Sequence, residues 1–225
     1  MSVLLGLELV LWGVRFLMGV CVFQFLNGVI ERRQRSGYEM RVMGRYFCVD
    51  CLGGVAFVCS CVRFGCGSLG ILSMKGTFAF FYLGILTIIA LIDWDTRMID
   101  DRFHLMILLL GVAAVWVFPE YTLVQRLVGI VIIALPMLLL AMVIPGAFGG
   151  GDIKLMAVSG WLLGWRAMLP AAFLGLLFGS GFCIRMLAQR RFVRKDSFSF
   201  GPFLALGLAI SFFYGDAILK WYLSI

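Results

Sequence analysis

Long apolar segments alternate with short polar ones along the whole chain. Most of them approach the roughly 20 residues that an α-helix needs to cross the hydrocarbon core of a bilayer, which is about 30 Å thick. We predict about eight transmembrane helices, one or two of them short, at residues 3–28, 47–71, 76–93, 103–119, 127–145, 152–165, 167–187 and 199–217. The predicted fold class is therefore all-α, a polytopic membrane helical bundle with short loops.

The composition also indicates a membrane protein, since 63% of the 225 residues are hydrophobic and only 14% are charged. A water-soluble domain carries about 25% charged residues, so we expect no large soluble domain. The first apolar run, Val3 to Ile30, is longer than the core of a signal peptide and has no small-residue cleavage site after it. We therefore expect this run to be retained as a helix and the mature protein to begin at or near Met1.

The formal net charge is +7, and most of the basic residues gather in three of the predicted loops. They are Arg32, Arg33, Arg35, Arg41 and Arg45 after the first span, Arg97 and Arg102 after the third, and Arg185, Arg190, Arg191, Arg194 and Lys195 after the seventh. If the spans alternate in direction, these loops share one membrane face, which the positive-inside rule makes cytoplasmic. The charge then reflects topology and attraction to membrane lipids, and we predict no nucleic-acid partner.

Acidic residues are concentrated beside this face. Four aspartates, Asp93, Asp95, Asp100 and Asp101, lie within the stretch "IDWDTRMIDD", and Asp152 ends a glycine run in "GAFGGGDIKLM". Glycine permits close backbone approaches, which suits a loop that dips into the membrane before a helix. An N-cap role would also explain an aspartate at a helix start, but it would not by itself require three glycines.

The pairing of Asp93 with Asp152 suggests chemistry. Each lies at the cytoplasmic end of a predicted span, so helix packing can bring the two carboxyl groups face to face. Two carboxylates a few ångströms apart at low dielectric do not both ionise, so one is expected to hold a proton while the other accepts one from water. Such a pair performs general acid–base catalysis without a metal or cofactor. The alternative is that Asp93 is a solvated residue at a helix end.

Three motifs, "IDWDTRMIDD", "FGGGDIKLM" and "FSFGPFLALG", occur in the order typical of the type IV prepilin peptidases, which they resemble. That family consists of membrane aspartyl proteases with a G-x-G-D signature. The resemblance extends from about Gly76 to Gly215 and implies that Asp93 and Asp152 are catalytic. It implies removal of short basic leaders from pilin-like or pseudopilin precursors at the cytoplasmic face of the inner membrane, in type IV pilus assembly or protein secretion.

The resemblance also assigns residues around the catalytic pair. Gly149, Gly150 and Gly151 match the G-x-G element that precedes Asp152. Lys154 fits the family pattern as well, and it either pairs with an acid or lipid phosphate or extends to the membrane interface.

The other three aspartates of the first motif follow Asp93 in the same loop. Asp95 and Asp101 match commonly acidic positions, and they either contact the substrate or the catalytic site or are solvated loop residues. Asp100 stands where the family usually has proline, so a fixed φ angle is removed from the loop.

The N-terminal region departs further from the family. We divide the chain into an N-terminal membrane region, residues 1–75, with a short basic cytosolic loop, and a catalytic membrane domain, residues 76–225. Many family members carry two Cys-x-x-Cys pairs in an N-terminal insert that is associated with methylation of the product. Here a zinc ion has four candidate ligands: Cys48, Cys51, Cys61 and Cys66. Because the stretch is also apolar and lacks a second Cys-x-x-Cys pair, the cysteines are alternatively small hydrophobes, and we do not expect N-methyltransferase activity.

Two other functions fit parts of the pattern. An ion or proton transporter would use Asp93 and Asp152 as a relay, but this predicts neither the G-x-G-D element nor the spacing of Asp93 and Asp101. A presenilin-like intramembrane protease shares G-x-G-D but usually has tyrosine before the first aspartate, where this chain has Ile92. The single histidine, His104, is interpreted as a helix-start residue.

Overall fold

The structure is a computed structural model that describes residues 12–21, 24, 43–65, 73–144, 146–189 and 199–224, without the side chains of residues 43–50. Every regular element in these residues is a helix. The helices are α1 (Trp12–Cys21), α2 (Met43–Phe64), α3 (Met74–Thr96), α4 (Asp101–Val117), α5 (Leu123–Val143), α6 (Gly150–Ala188) and α7 (Gly201–Leu223). The all-α, multi-pass membrane class predicted from the sequence is confirmed.

The predicted count of about eight spans is not confirmed. The described residues form seven helices, of which α3, α5, α6 and α7 are long and apolar enough to cross a membrane. The predicted spans 152–165 and 167–187 are two helical segments joined directly within α6, at a sharp kink where Gly164 has φ 72° and ψ 167°. A glycine adopts this left-handed φ at little cost, so the chain turns without a separate loop.

The chain divides into two compact units, Met1–Gly84 and Ile85–Ile225, with the boundary inside α3. In the first unit, Phe57 and Phe80 pack edge to face with ring centroids 5.2 Å apart. In the second unit, α6 is the central element and packs against α4, α5 and α7. The candidate site lies in this second unit.

Glycines allow the helices of the second unit to approach closely. A Cβ atom on Gly129 of α5 would lie 3.0 Å from the carbonyl carbon of Gly160 in α6. A Cβ atom on Gly175 would lie 3.0 Å from the side chain of Leu204 in α7, and one on Gly179 would lie 2.5 Å from the Phe200 ring. These contacts fix α6 between its neighbours, so larger side chains here would separate the helices.

Arg126 joins three helices from a fully buried position on α5. Its Nη1 donates to the carbonyl oxygens of Trp161 and Leu162, at 3.2 and 3.1 Å, and its Nη2 donates to those of Ala114 and Phe118, at 2.8 and 3.0 Å. The first two carbonyls precede the kink at Gly164, and the other two lie at the end of α4. Because a helix leaves its last carbonyl groups short of intrahelical donors, one guanidinium supplies hydrogen bonds at both breaks, and the Ala114 carbonyl also accepts the Phe118 N–H.

Two of the four predicted zinc ligands, Cys66 and the side chain of Cys48, lie outside the described part of the chain. Of the other two, Cys51 is half-buried and Cys61 is buried. No cluster of three or more metal-binding side chains occurs among the residues that the structure describes. Most of the basic side chains used to predict topology also lie outside those residues, in ranges 25–42 and 190–198.

Candidate active site

Asp93 lies one turn before the end of α3, and only 5% of its surface is exposed. Its carboxylate oxygen Oδ2 accepts a hydrogen bond of 3.0 Å from the backbone N–H of Gly201. The hydroxyl of Ser199 also contacts Oδ2 within hydrogen-bonding distance and lies 3.0 Å from the Asp93 carbonyl oxygen. Asp93 is therefore a buried residue with fixed hydrogen-bond donors, and the alternative of a solvated residue at a helix end is wrong.

Gly201 has no side chain, and the Asp93 carboxylate occupies the space beside it. A Cβ atom on Gly201 would lie only 2.6 Å from Asp93 Oδ2. The absence of a side chain thus permits both the close approach of α7 to α3 and the N–H contact. Neither Ser199 nor Gly201 was predicted as a site residue, although both lie in the motif "FSFGPFLALG".

Asp152 lies in the first turn of α6 with 7% of its surface exposed. The N-cap of α6 is Gly149, so an N-cap role for Asp152 is wrong. Asp152 is instead the third helical residue, from which its carboxyl group accepts a hydrogen bond from the backbone of Gly149. The carboxyl oxygen Oδ1 is buried and has no hydrogen-bond partner within the described residues.

The structure brings Asp93 and Asp152 together. The two carboxyl groups, one at the end of α3 and the other at the start of α6, are close enough for their charges to interact. Both residues are buried, and each carboxyl group lies next to a helix N-terminus, since that of Asp93 accepts the first N–H of α7 and Asp152 lies in the first turn of α6. The partial positive charge of a helix N-terminus favours a nearby carboxylate.

The glycine run has two different packing requirements. A Cβ atom on Gly149 would lie 3.2 Å from Asp152 Oδ2, and one on Gly151 would lie 3.1 Å from the side chain of Ile99. Gly150 faces open space, with nothing within 4 Å of the position that a Cβ atom would take. Gly149 therefore leaves room for the Asp152 carboxyl group, and Gly151 leaves room for Ile99 in the loop between α3 and α4.

Three polar side chains connect the start of α4 to the start of α6. Lys154 Nζ lies 2.7 Å from Asp101 Oδ1, and this lysine lowers the pKa of the Asp101 carboxyl group through hydrogen bonding and charge. His104 is buried, and its Nε2–H donates to the Gly151 carbonyl oxygen at 3.0 Å. The sequence therefore identified the Asp101 and Lys154 positions, but it assigned His104 no role beyond starting a helix. The only signal for His104 was its position three residues after Asp101.

Asp95 and Asp100 lie at the exposed edge of the site. Asp100 is the N-cap of α4 and accepts a hydrogen bond of 3.2 Å from the Arg102 N–H. Its φ is −68°, which is the angle that proline would impose. Aspartate thus keeps the backbone shape of a proline at this position and adds a helix cap.

Comparison with known proteins finds sequence similarity over the residues of the candidate site. A model of the type IV leader peptidase family matches residues 80–184, which include both buried aspartates. The prepilin leader peptidase/N-methyltransferase of Bacillus subtilis (strain 168) is 26% identical over 199 residues, which cover 88% of this chain and 78% of that protein. A protein of the same name from Aeromonas salmonicida is 40% identical over 76 residues, or 34% of this chain and 26% of that protein.

A third relative of that name, from Legionella pneumophila, is 28% identical over 152 residues, which cover 65% of this chain and 53% of that protein. No solved structure shows a significant match. The matched residues and the buried pair of aspartates together lead to one conclusion: residues 80–184 of the chain are similar to the type IV leader peptidase family, a family of proteases.

Proposed function

We propose that this protein is an aspartyl endopeptidase that removes short basic leader peptides from type IV pilin-like precursors. The observation that carries the proposal is the proximity of two buried carboxyl groups, Asp93 and Asp152, in a membrane protein that is similar to a protease family. Burial of two aspartates costs folding free energy, so a protein that keeps such a pair is expected to use it. Ionisable groups within membrane helices are usually functional.

In the proposed reaction, the ionised carboxylate takes a proton from water while the other carboxyl group donates its proton to the scissile carbonyl oxygen. The water oxygen bonds to the carbonyl carbon and gives a neutral tetrahedral diol. The carboxyl group that took the proton from water then donates it to the amide nitrogen, while the other takes a proton from a diol hydroxyl. The C–N bond breaks, and the products are a carboxylic acid and an amine. The pair ends with one shared proton, as it began.

The precursor's hydrophobic helix would lie in the bilayer beside the enzyme, with the leader on the cytoplasmic side of the inner membrane. This placement brings the scissile bond to the depth of the two aspartates. Asp95 and Asp101 then lie on the side of the site where a basic leader would pass, and the G-x-G element of Gly149, Gly150 and Gly151 leaves room beside Asp152. Opposite charges at this edge would mainly increase encounter and select the substrate.

Proteolysis by two carboxyl groups needs no cofactor, and we propose that a zinc ion at Cys48, Cys51, Cys61 and Cys66, if bound, has a structural role. We also propose that this chain does not methylate its product, although the relatives' names include N-methyltransferase. The Aeromonas match covers only 26% of that protein, so it does not extend to most of the relative.

The proposal is tested by co-expressing the full chain with a panel of pilin, secretion pseudopilin and competence pilin precursors. Intact masses from the membrane fraction are compared with those from cells that carry Asp93→Asn. We expect at least one precursor to lose its leader only with the wild-type chain, and the product to lack the mass of an added methyl group. If no precursor is shortened although both chains are inserted at equal levels, the proposed substrate class is wrong.

The proposed membrane face is tested separately with reporters fused after Ile225. With the basic loops in the cytoplasm, the C-terminus lies outside, so alkaline phosphatase should be active and a cytoplasm-dependent fluorescent protein should be dark. The reverse pattern would place the C-terminus in the cytoplasm and contradict the proposed orientation.

A further inference from the structure

We infer that Ser199 is a positioning residue for Asp93, and that its hydroxyl, with the Gly201 amide, holds the carboxylate in the orientation needed to activate water. The inference rests on the proposed function and adds to it a residue that acts through Asp93. It is independent of which precursor is cleaved.

Ser199 contacts two oxygens of Asp93. Its hydroxyl lies 3.0 Å from the backbone carbonyl oxygen of Asp93 and also contacts Oδ2 of the same residue. A hydroxyl has one proton, so it donates to one of these oxygens at a time. When it donates to Oδ2 it holds the carboxylate and limits rotation about χ1, and when it donates to the carbonyl oxygen it stays in contact with the carboxylate.

The start of α7 takes a hydrogen-bond acceptor from another helix. The N-cap of α7, Phe200, supplies no side-chain hydrogen bond, Pro202 has no N–H, and the Phe203 N–H donates to the Phe200 carbonyl oxygen. The Gly201 N–H therefore needs an acceptor from elsewhere, and Asp93 Oδ2 accepts from it at 3.0 Å. The carboxylate from α3 therefore caps α7, and Ser199 lies immediately before this contact.

The two oxygens of the Asp93 carboxylate have different surroundings. The bonds from Ser199 and Gly201 both go to Oδ2. We therefore assign Oδ1 to the attacking water. A carboxylate that loses one of its two donors is free to rotate, and the water would then be misaligned with the scissile carbonyl. The loss should therefore lower the rate of the chemical step more than it weakens substrate binding.

The test compares Ser199→Ala, Ser199→Thr and Ser199→Cys in the purified full-length protein, with one cleaved precursor as substrate. Loss of a hydrogen bond to a charged group should reduce kcat roughly 10- to 100-fold, with KM changed by less than about two-fold. Threonine keeps the hydroxyl and should restore kcat to within about five-fold of the wild-type value. Cysteine keeps the size but donates weakly, so its kcat should lie between those of Ala and Thr.

Ser211→Ala is the matched control. Ser211 is buried on α7 and, like the half-buried Ser199, has a hydroxyl in contact with a backbone carbonyl, that of Ala167, but it lies ten residues beyond the Gly201 contact with Asp93. Its removal should lower thermal stability while kcat stays within about two-fold of wild type. A general effect of losing a buried serine bond would instead lower kcat in both alanine variants and overturn the inference.

The outcomes separate the inference from the proposed function. A wild-type kcat in Ser199→Ala would overturn the inference and leave the peptidase proposal intact. If Ser199→Ala does not fold, the cysteine variant decides, because a wild-type kcat there would also overturn the positioning role. A wild-type protein that cleaves no precursor would instead refute the proposed function.

Discussion

Gly201 places its backbone N–H 3.0 Å from the Asp93 carboxylate, across 108 positions of sequence. The contact makes the start of α7 part of the candidate active site, although the two residues belong to helices far apart in the chain. It also explains why the third sequence motif has a glycine here, since any side chain would collide with Oδ2.

Gly201→Ala should displace the Asp93 carboxylate, because the new Cβ atom would lie 2.6 Å from Oδ2. We expect kcat to fall by at least about ten-fold and stability to drop by roughly 1–3 kcal/mol, as in overpacked cores. Steady-state cleavage and thermal unfolding measure the two effects. Gly181→Ala is the control, because nothing lies within 4 Å of a Cβ atom there; equal kcat in the two variants would contradict the steric argument.

Arg126→Met should destabilise the second unit without touching the carboxyl pair. The substitution removes the Arg126 hydrogen bonds to four carbonyl groups, at the kink of α6 and the end of α4, of which that of Ala114 keeps its bond from the Phe118 N–H. Unsatisfied buried acceptors cost about 1–3 kcal/mol each, so we expect a loss of at least about 3 kcal/mol. Thermal unfolding in detergent is compared with Arg166→Met, an exposed arginine on the same helix as the kink. Similar midpoints would show that the Arg126 contacts contribute little.

The role of the Asp101–Lys154 pair is tested by substitutions that should act in opposite directions. If Asp101 attracts a basic leader, Asp101→Asn raises KM, whereas Lys154→Met removes a competing cation and lowers KM. Because exposed charge pairs interact weakly, changes of roughly two- to five-fold are expected. KM shifts in the same direction for both variants would indicate that the pair only joins α4 to α6.

The pH dependence of this pair follows from the lowered pKa of Asp101, whose ordinary value is 3.8. A carboxyl group with a lowered folded pKa contributes stability above its unfolded pKa and loses it as pH falls through the folded pKa. The opposite KM effects should therefore stay constant from about pH 5 upward. KM is measured from pH 5 upward, at low and high salt, with a basic and a neutralised leader. Effects that change above pH 5, or that persist with the neutral leader, would contradict attraction of the substrate.

Much of the candidate site was predictable because its chemistry is local in sequence. Asp93 ends an apolar segment and Asp152 follows a glycine run, so the hydropathy pattern and the two motifs marked both. Asp100 as a helix cap is similarly local. The partners of these residues were not predictable in this way, because the Ser199 and His104 contacts span 106 and 47 positions and depend on how the helices pack.

The count of spans failed for a related reason. The segments around Gly164 are each apolar, and a glycine between them is compatible with a short loop, a continuous helix or a sharp turn. The turn is accompanied by the donors of Arg126, a buried cation on a different helix. Hydropathy gives no information about such a donor, so the sequence alone left the kink as a gap between two predicted helices.

Asp93 and Asp152 are proposed to carry out the cleavage together. The most direct measurement is the rate at which purified Asp93→Asn and Asp152→Asn variants shorten a precursor, followed by intact mass. Asp216→Asn is the control, an exposed aspartate near the opposite end of α7. We predict that both site variants remain folded and lose activity by about 10²–10⁴-fold, because asparagine keeps the shape of aspartate but cannot exchange the proton. The rate of Asp216→Asn should stay within about two-fold of wild type. A folded Asp93→Asn or Asp152→Asn variant that keeps more than about a tenth of the wild-type rate would contradict the account.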